Sequence, residues 1–425
     1  MAHHLDRTPY AGLIDRLNRF PQGAPASELL YRILAMLFSE KEAELVALLP
    51  IKPFNAQKAA RVWKMDLSSS RKILDELASR AILVDIEQNG EVLYCLPPPM
   101  AGFFEFSMMR LRNDLNQKVL SELFYQYINV EEEFIRALIL DGETQLGRVF
   151  VQEPALGEQN AIHVLDYERA SEVIRTATHI GVSMCYCRHK MTHLERACDA
   201  PLDICMTFNT TASSLTRHGF ARQVSSSECL DLLNTAYSSN LVQFGENVRK
   251  QVNFICNCCG CCCEALLAIQ KFGLVRPIHS NFIAQIIEDK CVGCGQCSSL
   301  CPVNAISLVN EDETVTDSEN RARIDEKMCL GCGVCVNNCP TGALYLESRP
   351  TRTITPVDSV HRAVIMAIER GSLQDLIFYN QSLFSHRALA AVLGAILKLP
   401  PIKRVMASRQ LKSRYLEVLL QKLKD

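Results

Sequence analysis

Residues 291–302 read CVGCGQCSSLCP and residues 329–340 read CLGCGVCVNNCP, which is one pattern of four cysteines and a proline written twice. Three closely spaced thiolates can wrap one face of an iron–sulfur cubane. The fourth cysteine, turned away by Pro302 or Pro340, can then reach a neighbouring cluster, as in proteins that hold two clusters. The duplication therefore predicts two iron–sulfur clusters in this part of the chain.

The residues between these cysteines fit a backbone that runs close around a cluster. Such a loop needs residues that tolerate positive φ and carry no Cβ. The glycines that meet this need are Gly293, Gly295, Gly331 and Gly333. Ala305-Ile306 and Ala343-Leu344 are predicted to begin short strands that close over the inorganic core. Residues Asn310 to Arg323 insert an acidic, turn-rich stretch between the halves, which we expect to be a solvated loop.

Residues 282–348 resemble the bacterial dicluster ferredoxin domain, on the strength of these two cysteine runs. The resemblance implies two [4Fe-4S] clusters with crossed ligand sets. One set is Cys291, Cys294, Cys297 and Cys339, and the other is Cys329, Cys332, Cys335 and Cys301. A pair of zinc ribbons also uses Cys-x-x-Cys pairs. The third cysteine at the same spacing and the Cys-Pro ending favour iron–sulfur over zinc.

The composition indicates a multidomain protein of the reducing cytoplasm. A chain of 425 residues is long enough for two to four domains. The formal net charge of −2 excludes a bulk electrostatic field that would attract nucleic acid or a membrane. Nineteen of the 20 cysteines lie between Cys185 and Cys339, unlike a secreted disulfide scaffold, and the start of the chain has no apolar signal. No transmembrane helix is expected, since the apolar stretch Ala388 to Leu399 is too short for a bilayer.

The first domain, predicted at residues 26–105, resembles a winged helix. Three helices are followed by two alternating strands around Asn89-Gly90, a strong hairpin signal. Asn55 is a candidate cap of a helix running to Met65, and Asp66 or one of Ser68 to Ser70 is a candidate cap of the next helix. Winged helices often bind DNA, and Arg71, Lys72 and Arg80 lie on the candidate recognition helix. Residues 1–100 nevertheless carry twelve Lys or Arg and twelve Asp or Glu, which favours a docking or dimerisation module over DNA binding.

A helical connector is predicted at residues 106–160, beginning within a long helix from Phe103 to Tyr127. A cysteine-rich α/β domain is predicted at residues 161–270. In it, helix Glu168 to Thr178 leads to strand Ile180 to Met184 and to Cys185-Tyr186-Cys187. Helix Glu228 to Ser238 leads through Leu241 to Phe244 to Cys256-Asn257-Cys258. We interpret this as a duplicated unit that places two Cys-x-Cys corners side by side.

Ten cysteines of this domain are candidate metal ligands. They are Cys185, Cys187, Cys198, Cys205, Cys256, Cys258, Cys259, Cys261, Cys262 and Cys263. The first four make a complete four-thiolate set, beside the cationic residues Arg188, His189 and Lys190. An iron–sulfur cluster is favoured there. Zinc held with His189 and His193, which are four residues apart, and unligated thiols are the alternatives.

The second corner places six cysteines within residues 256–263, and adjacent cysteines cannot all face one cubane. Metal binding is therefore predicted, with some of these cysteines directed to another cluster or packed as small apolar residues. Cys258-Cys259-Gly260 is similar to an element of the heterodisulfide reductase catalytic subunit, but the downstream pair Cys291 and Cys294 belongs to the ferredoxin run. Residues 184–208 and 254–267 more closely resemble uncharacterised multicluster iron–sulfur proteins of strict anaerobes. Cys229 is expected to be a buried structural thiol.

The C-terminal region, residues 352–425, is predicted to be helical. Apolar residues recur at helical spacing through Val364 and Ile368, and again from Ala388 to Leu399. A basic amphipathic helix from Lys403 to Lys424 follows Pro400-Pro401. Such a helix can touch a membrane surface or an acidic partner, but packing on its own protein is favoured.

Together these features predict an α+β multidomain protein that carries electrons one at a time between a donor and a partner enzyme. Thiolate-bound clusters suit this role, and no glycine-rich nucleotide or phosphate loop is present in the sequence. One alternative is an oxidoreductase with an open cluster in the cysteine-rich domain. Another is a redox-sensing regulator whose winged helix binds DNA.

Overall fold

A computed structural model describes residues 9–140, 142–157, 164–273, 278–309, 320–353, 355–378 and 390. Contacts group the chain into two compact units. The first consists of Met1–Thr144, Ser213–Ala221 and Val357–Asp425, and the second of Gln145–Ala212 and Arg222–Pro356. The predicted cysteine-rich and ferredoxin segments fall in the second unit, apart from residues 213–221.

The helices and strands of both units are numbered in chain order. The helices are α1 Pro9–Arg19, α2 Glu28–Leu37, α3 Glu40–Ala47, α4 Ala56–Trp63, α5 Leu67–Ser79, α6 Phe104–Phe106, α7 Gln117–Tyr125, α8 Glu133–Leu140, α9 Ala170–Thr176, α10 Tyr186–His193, α11 Asn209–Arg217, α12 Ser226–Ser238, α13 Glu264–Phe272, α14 Gln296–Leu300, α15 Val334–Asn337, α16 Ser359–Arg370 and α17 Leu373–Ile377. The strands are β1 Phe54–Asn55, β2 Val84–Gln88, β3 Glu91–Cys95, β4 Gly147–Phe150, β5 Ile180–Met184, β6 Asp203–Phe208, β7 Arg222–Gln223, β8 Val242–Glu246, β9 Phe254–Cys258, β10 Phe282–Ile286, β11 Ile306–Val309, β12 Arg321–Ile324 and β13 Leu344–Ser348.

The described part of the first unit begins with α1, which was not predicted, and continues with the predicted helices and hairpin. The side chain of Asn55 accepts a hydrogen bond from the Lys58 backbone N–H, which confirms the predicted cap. The side chain of Asp66 accepts one from the Ser69 backbone N–H, so Asp66 is the cap among the candidates for the next helix. Strands β2 and β3 pair up to Gln88↔Glu91, and Asn89 and Gly90 between them have φ of 52° and 79°. Both values suit a two-residue hairpin turn. The sheet order is β1-β3-β2.

The predicted long helix from Phe103 to Tyr127 is wrong. The structure has the short helix α6 and then α7, separated by an irregular segment. The Asn116 side chain accepts a hydrogen bond from the Val119 backbone N–H and starts α7 anew. The Gln117 amide donates to the carbonyl oxygens of Ser107 and Arg110 at 3.2 and 2.8 Å. These bonds satisfy backbone groups of the segment that a continuous helix would have paired.

The second unit contains a six-stranded antiparallel sheet with the order β4-β8-β9-β6-β5-β7. Two smaller sheets pair β10 with β13 and β11 with β12. The predicted short strands thus appear as β11 and β13. Residues 321–323, predicted as loop, instead belong to β12, whereas residues 310–319 lie outside the described residues. Side chains of the large sheet and of the smaller sheets share one core that includes Val149, Leu266 and Phe282.

The C-terminal helices of the first unit are α16 and α17. Asp358 caps α16 by accepting from the His361 backbone N–H, and Val364 and Ala367 face the core with Leu373. The predicted helices at residues 388–399 and 403–424 lie outside the described residues, apart from residue 390. None of the helices in the described ranges is long and apolar enough to cross a membrane.

Candidate metal centres

The two cysteine runs at residues 291–302 and 329–340 surround two cavities, and each run contributes to both. The first, here the exposed cavity, has about 370 Å³ of empty space and is lined by the thiols of Cys291, Cys294, Cys297 and Cys339. The second, here the buried cavity, has about 350 Å³ and is lined by those of Cys301, Cys329, Cys332 and Cys335. These are the two crossed sets that the resemblance implies.

Glycines let the backbone pass around the cavities. Gly293 and Gly331 have φ of 65° and 62°. A Cβ on Gly293 would lie 1.8 Å from the Asn320 carbonyl oxygen, and one on Gly331 would lie 1.9 Å from that of Phe282. Gly295 and Gly333 also have positive φ. Larger residues at these positions would displace the loops, so the expectation from the sequence is confirmed.

Backbone amides donate to two of the cavity thiols. The Ala305 N–H donates to Cys301 Sγ at 3.1 Å, and the Ala343 N–H donates to Cys339 Sγ at 3.3 Å. Burial raises the pKa of Cys332 to about 12, so without a metal this thiol stays protonated at neutral pH. Metal binding would release the proton. Four thiols and amide donors around each cavity fit an iron–sulfur cluster.

The two cavities differ in exposure. Cys294 is exposed and the other thiols of the exposed cavity are half-buried. Cys329, Cys332 and Cys335 are buried. A cluster in the exposed cavity could meet a partner at the surface, whereas one in the buried cavity is covered by protein.

Six cysteines from the segment 185–263 form a closed ring of neighbouring thiols, here called the six-thiol ring. Hydrogen bonds link each thiol to the next in the order Cys185, Cys187, Cys263, Cys258, Cys256 and Cys205, and Cys205 returns to Cys185. The two predicted Cys-x-Cys corners therefore lie side by side, with Cys205 and Cys263 joining them.

Strand pairing builds this ring. Met206 in β6 is opposite Ile255 in β9, which brings Cys205 beside Cys256. Cys256 and Cys258 are two residues apart on β9, so their side chains point to the same face. Between them, the Asn257 amide is fully buried and donates to the Ile204 carbonyl at 2.7 Å, while its oxygen accepts from Gln243 at 3.0 Å. These bonds hold the strand that presents the two thiols.

The pKa values alternate around the ring. Hydrogen bonds from neighbouring thiols lower the pKa of Cys185 and Cys263 well below the usual value and lower that of Cys256 to about 6. The same bonds raise the pKa of Cys187, Cys205 and Cys258, because each of these donates its proton. Neighbouring thiolates and thiols thus share protons. A metal that binds these sulfur atoms can displace the protons.

The remaining four candidate cysteines form a second group, here called the four-thiol cage. The sulfur atoms of Cys198, Cys259, Cys261 and Cys262 all lie within 4.8 Å of one another. Cys198 lies 3.5 Å from Cys259 and 4.0 Å from Cys262, and Cys261 lies 3.6 Å from Cys262. This compact group could hold a metal ion.

The predicted four-thiolate set of Cys185, Cys187, Cys198 and Cys205 is therefore wrong. Cys198 belongs to the cage and the other three belong to the ring. The imidazole rings of His189 and His193 do share a helix face, with centroids 4.9 Å apart. Within the described residues, however, the close metal-ligand group consists of thiols alone, so a zinc site joining these histidines to Cys187 and Cys198 is not supported.

Arg188 carries a positive charge that interacts with thiols of both the six-thiol ring and the four-thiol cage. Its side chain is buried, donates to the carbonyl oxygens of Pro201 and Asn257, and hydrogen-bonds to Cys259. Burial acts to lower its pKa, but the negative charges of Cys185, Cys259 and Cys205 outweigh burial and raise it. The same cation helps Cys262 lower the pKa of Cys259 to about 5. Arg188 thus offsets thiolate charge, as the sequence predicted.

Lys190 has a different role from the one predicted. Its ammonium forms an ion pair with Glu264, and both side chains are almost completely buried. The Tyr186 hydroxyl lies 3.5 Å from the same carboxylate. The pair joins α10 to the start of α13, directly after Cys263. Sequence reasoning missed Glu264, because its position in the first turn of a helix gave no sign of a distant lysine.

The cysteine-rich loop meets the ferredoxin segment at Gly260. A Cβ on Gly260 would lie 2.4 Å from the Pro302 carbonyl oxygen. The Gln270 amide donates to both the Gly260 and Pro302 carbonyl oxygens, at 2.9 and 2.7 Å. Pro302 follows Cys301 of the buried cavity, and Cys258 and Cys263 share a core with Cys329 and Cys332. The six-thiol ring and the buried cavity therefore belong to one packed structure.

Comparison with known proteins identifies one segment of the chain. No curated protein matches the sequence. The family model described as 4Fe-4S dicluster domain matches residues 290–343, which confirms the predicted dicluster segment and implies two [4Fe-4S] clusters there. This match and the cysteine groups described above indicate an iron–sulfur redox protein.

Proposed function

We propose that this protein is a multicluster iron–sulfur electron carrier of the reducing cytoplasm. In this proposal electrons pass one at a time between a redox partner at the exposed cavity and the metal centres of the cysteine-rich segment. The [4Fe-4S] clusters supply the redox chemistry, because charge spreads over several iron and sulfur atoms. The eight cysteines of the two cavities would hold them, in the crossed sets that line those cavities.

The observation that carries this proposal is the close approach of Gly260 to Pro302. The loop of residues 256–263 supplies three thiols to the six-thiol ring and three to the four-thiol cage. The same loop packs directly against the residue that follows Cys301. The buried cavity therefore packs against the cysteine-rich segment and shares its cysteine runs with the exposed cavity, which supports a role as intermediate in electron transfer.

Exposed apolar side chains near the exposed cavity support its role as the partner-facing site. Val292 and Leu308 line the cavity and are 62% and 39% exposed, and Tyr345 is 43% exposed on β13. Small apolar surfaces beside a cofactor suit brief encounters between redox proteins, which bury little area. We assign this surface to a redox protein whose own cofactor must come close to the cluster.

For residues 26–105 we favour a docking module over a DNA-binding role. Arg71 and Lys72 are exposed on α5, but Asp75 and Glu76 are exposed on the same helix. Arg80 forms an ion pair with Glu42 and donates to the Leu37 carbonyl, so its charge is already engaged within the unit. Such a surface lacks the excess positive charge that drives binding to phosphates.

The test uses the full-length protein purified without oxygen, together with two variants that each replace one glycine. Gly260→Ala should push the loop away from Pro302 without removing any thiol. After rapid mixing with a reductant, freeze-quenched spectra should show the ferredoxin clusters reduced at the normal rate and the cysteine-rich centres reduced more slowly. Gly157→Ala is the matched control, because nothing lies within 4 Å of a Cβ there.

The proposal fails if the clusters accept no electron from reductants within the range of roughly −700 to +450 mV that iron–sulfur proteins cover. It also fails if both variants reduce the cysteine-rich centres as fast as the unsubstituted protein. Tight, salt-sensitive binding of a DNA duplex that is lost with Arg71→Ala would favour the regulator instead.

A further inference from the structure

We propose that the six-thiol ring binds one iron–sulfur cluster that is larger than a single cubane and uses all six thiolates. The four-thiol cage is then a separate site beside it. This inference rests on the proposed function only in taking the metal to be iron with inorganic sulfide. Its evidence is the way in which the fold divides ten cysteines into a ring and a cage.

A single metal ion does not fit the ring. With Zn–S bonds of about 2.3 Å, four tetrahedral sulfur ligands lie about 3.8 Å from one another. The cage meets this condition, since its four sulfur atoms are mutually within 4.8 Å. Across the described residues the ring thiols form no such compact group, although each contacts two neighbours. The ring thiols are therefore spread too widely for one tetrahedral metal ion, as expected for thiols that surround a polynuclear core.

The ring also has more thiols than one cubane can use. A [4Fe-4S] cluster takes four protein thiolates, one for each iron. The ring offers six thiols, and hydrogen bonds between neighbours join all six in one closed ring. All six lie within a helix or strand of the same unit or directly before a helix: Cys185, Cys187, Cys205, Cys256, Cys258 and Cys263. A site built on paired strands and helix starts is held rigidly. We therefore expect all six thiols placed there to be cluster ligands.

Charge supports a core with several metal ions. Six thiolates beside one divalent ion would leave about four negative charges in the protein interior, where unpaired charge is costly. Arg188 is a buried cation whose positive charge interacts with the ring thiols Cys185 and Cys205. The positive charge of buried Lys190 is offset by its ion pair with Glu264. A core of several metal ions would supply more positive charge than one divalent ion and so lower this cost.

The experiment measures iron, zinc and sulfide per chain in the full-length protein and in three variants, all purified without oxygen. Cys205→Ala removes one ring thiol, Cys198→Ala removes one cage thiol, and Cys229→Ala removes a buried thiol outside both groups. We expect Cys205→Ala to lose more iron than one [4Fe-4S] cubane contains, together with sulfide, while the reduced-state resonance of the two ferredoxin clusters stays unchanged. Cys198→Ala should keep the ring iron, and Cys229→Ala should keep all of it.

Mössbauer spectra of the unsubstituted protein provide a second measure that does not depend on the variants folding. Iron beyond the two ferredoxin cubanes should exceed one cubane's content. The proposal is overturned if the ring accounts for one cubane or less, for zinc without sulfide, or for no metal. In those cases the proposed electron-carrier function would still hold if the ferredoxin clusters are reduced and oxidised reversibly in a redox titration. A large ring cluster in a protein whose clusters accept no electron would instead overturn that function alone.

Discussion

Asp85 is a buried carboxylate that ties the β2–β3 hairpin to residues 213–221 within the first unit. Ser214 Oγ donates to it at 2.5 Å, Arg217 donates to it at 2.5 Å, and His218 Nε2 lies 3.1 Å away. Burial acts to raise the pKa of Asp85. The hydrogen bonds from His218 and Ser214 and the positive charges outweigh burial and lower the pKa to about 2. Asp85 therefore stabilises the fold while it is ionised.

Asp85→Asn should destabilise the first unit by about 2 kcal/mol at pH 7, since a lowered pKa measures the extra stability of the charged form. Stability from a lowered carboxyl pKa is fully present above the unfolded value of 3.8 and is lost as pH falls toward the folded value of about 2. The difference between variant and unsubstituted protein should shrink over that interval. Fluorescence of Trp63, the sole tryptophan, reports urea unfolding of this unit.

Asp15→Asn is the control for this measurement, because it removes the same charge from an exposed position on α1. It should shift the urea midpoint little at any pH. Equal midpoints for Asp85→Asn and the unsubstituted protein at pH 7 would contradict the role assigned to Asp85.

Cys229 separates a packing thiol from the metal-binding thiols. It is fully buried on α12 among Phe150, Ile174 and Ile180, and burial raises its pKa to about 12. Cys229→Ala should keep the visible absorbance and metal content and should lower stability by roughly 1 kcal/mol, as for loss of a small buried group. Cys258→Ala should lose absorbance under the same conditions. Loss of metal in both variants would show that α12 supplies a ligand.

At the scale of elements, one short helix serves two cavities. Cys297 within α14 lines the exposed cavity, and Cys301 just after the helix lines the buried cavity. The positive φ of Gly295 starts the helix, and Pro302 follows Cys301. A displacement of α14 would therefore disturb both clusters.

The exposed and buried cavities give a kinetic prediction for this helix. Cys297→Ala should damage the cluster in the exposed cavity and leave the covered one, and Cys301→Ala should do the reverse. An iron chelator should then remove the surviving cluster slowly from Cys297→Ala and quickly from Cys301→Ala, because three of the four thiols of the buried cavity are buried. Absorbance at visible wavelengths follows the loss. Equal rates in the two variants would contradict the crossed ligand sets.

Sequence reasoning worked for elements whose signals are local. The caps at Asn55 and Asp66, the Asn89-Gly90 turn and the positive φ at Gly293 and Gly331 depend on a few neighbouring residues. The helix from Phe103 to Tyr127 failed because its apolar spacing outweighed the cap signal of Asn116. Asn and Asp compete for local backbone hydrogen bonds, so such a residue inside an apolar run is a warning of a break.

The division of ten cysteines into a ring and a cage could not be predicted in the same way. The division depends on the strand order β9-β6-β5 and on the register that sets Cys205 beside Cys256. Both are determined by contacts between residues that are far apart in sequence. The spacing of Cys185, Cys187, Cys198 and Cys205 suggested a single set. Only the path of the chain between α10 and β6 carries Cys198 to the cage.

At the scale of the whole molecule, the cysteines divide unequally between the two units. The nineteen from Cys185 to Cys339 lie in the second unit, and Cys95 lies in the first. Metal binding to such sites contributes directly to folding, because the ligands are not assembled in the unfolded chain. The second unit should therefore depend on its metal, whereas the first relies on apolar cores such as the one around Val364 and Leu373.

Removal of metal from the full-length protein should accordingly loosen one unit and spare the other. After anaerobic chelation, limited proteolysis should cut within residues 145–212 and 222–356 first. Trp63 fluorescence and its urea midpoint should stay close to those of the metal-bound protein, because Trp63 donates to the Leu45 carbonyl at 2.8 Å inside the first unit. Readdition of iron and sulfide should restore resistance to the protease. Simultaneous loss of the Trp63 signal would mean that both units fold as one cooperative body, and an uncut second unit would mean that its core is stable without clusters.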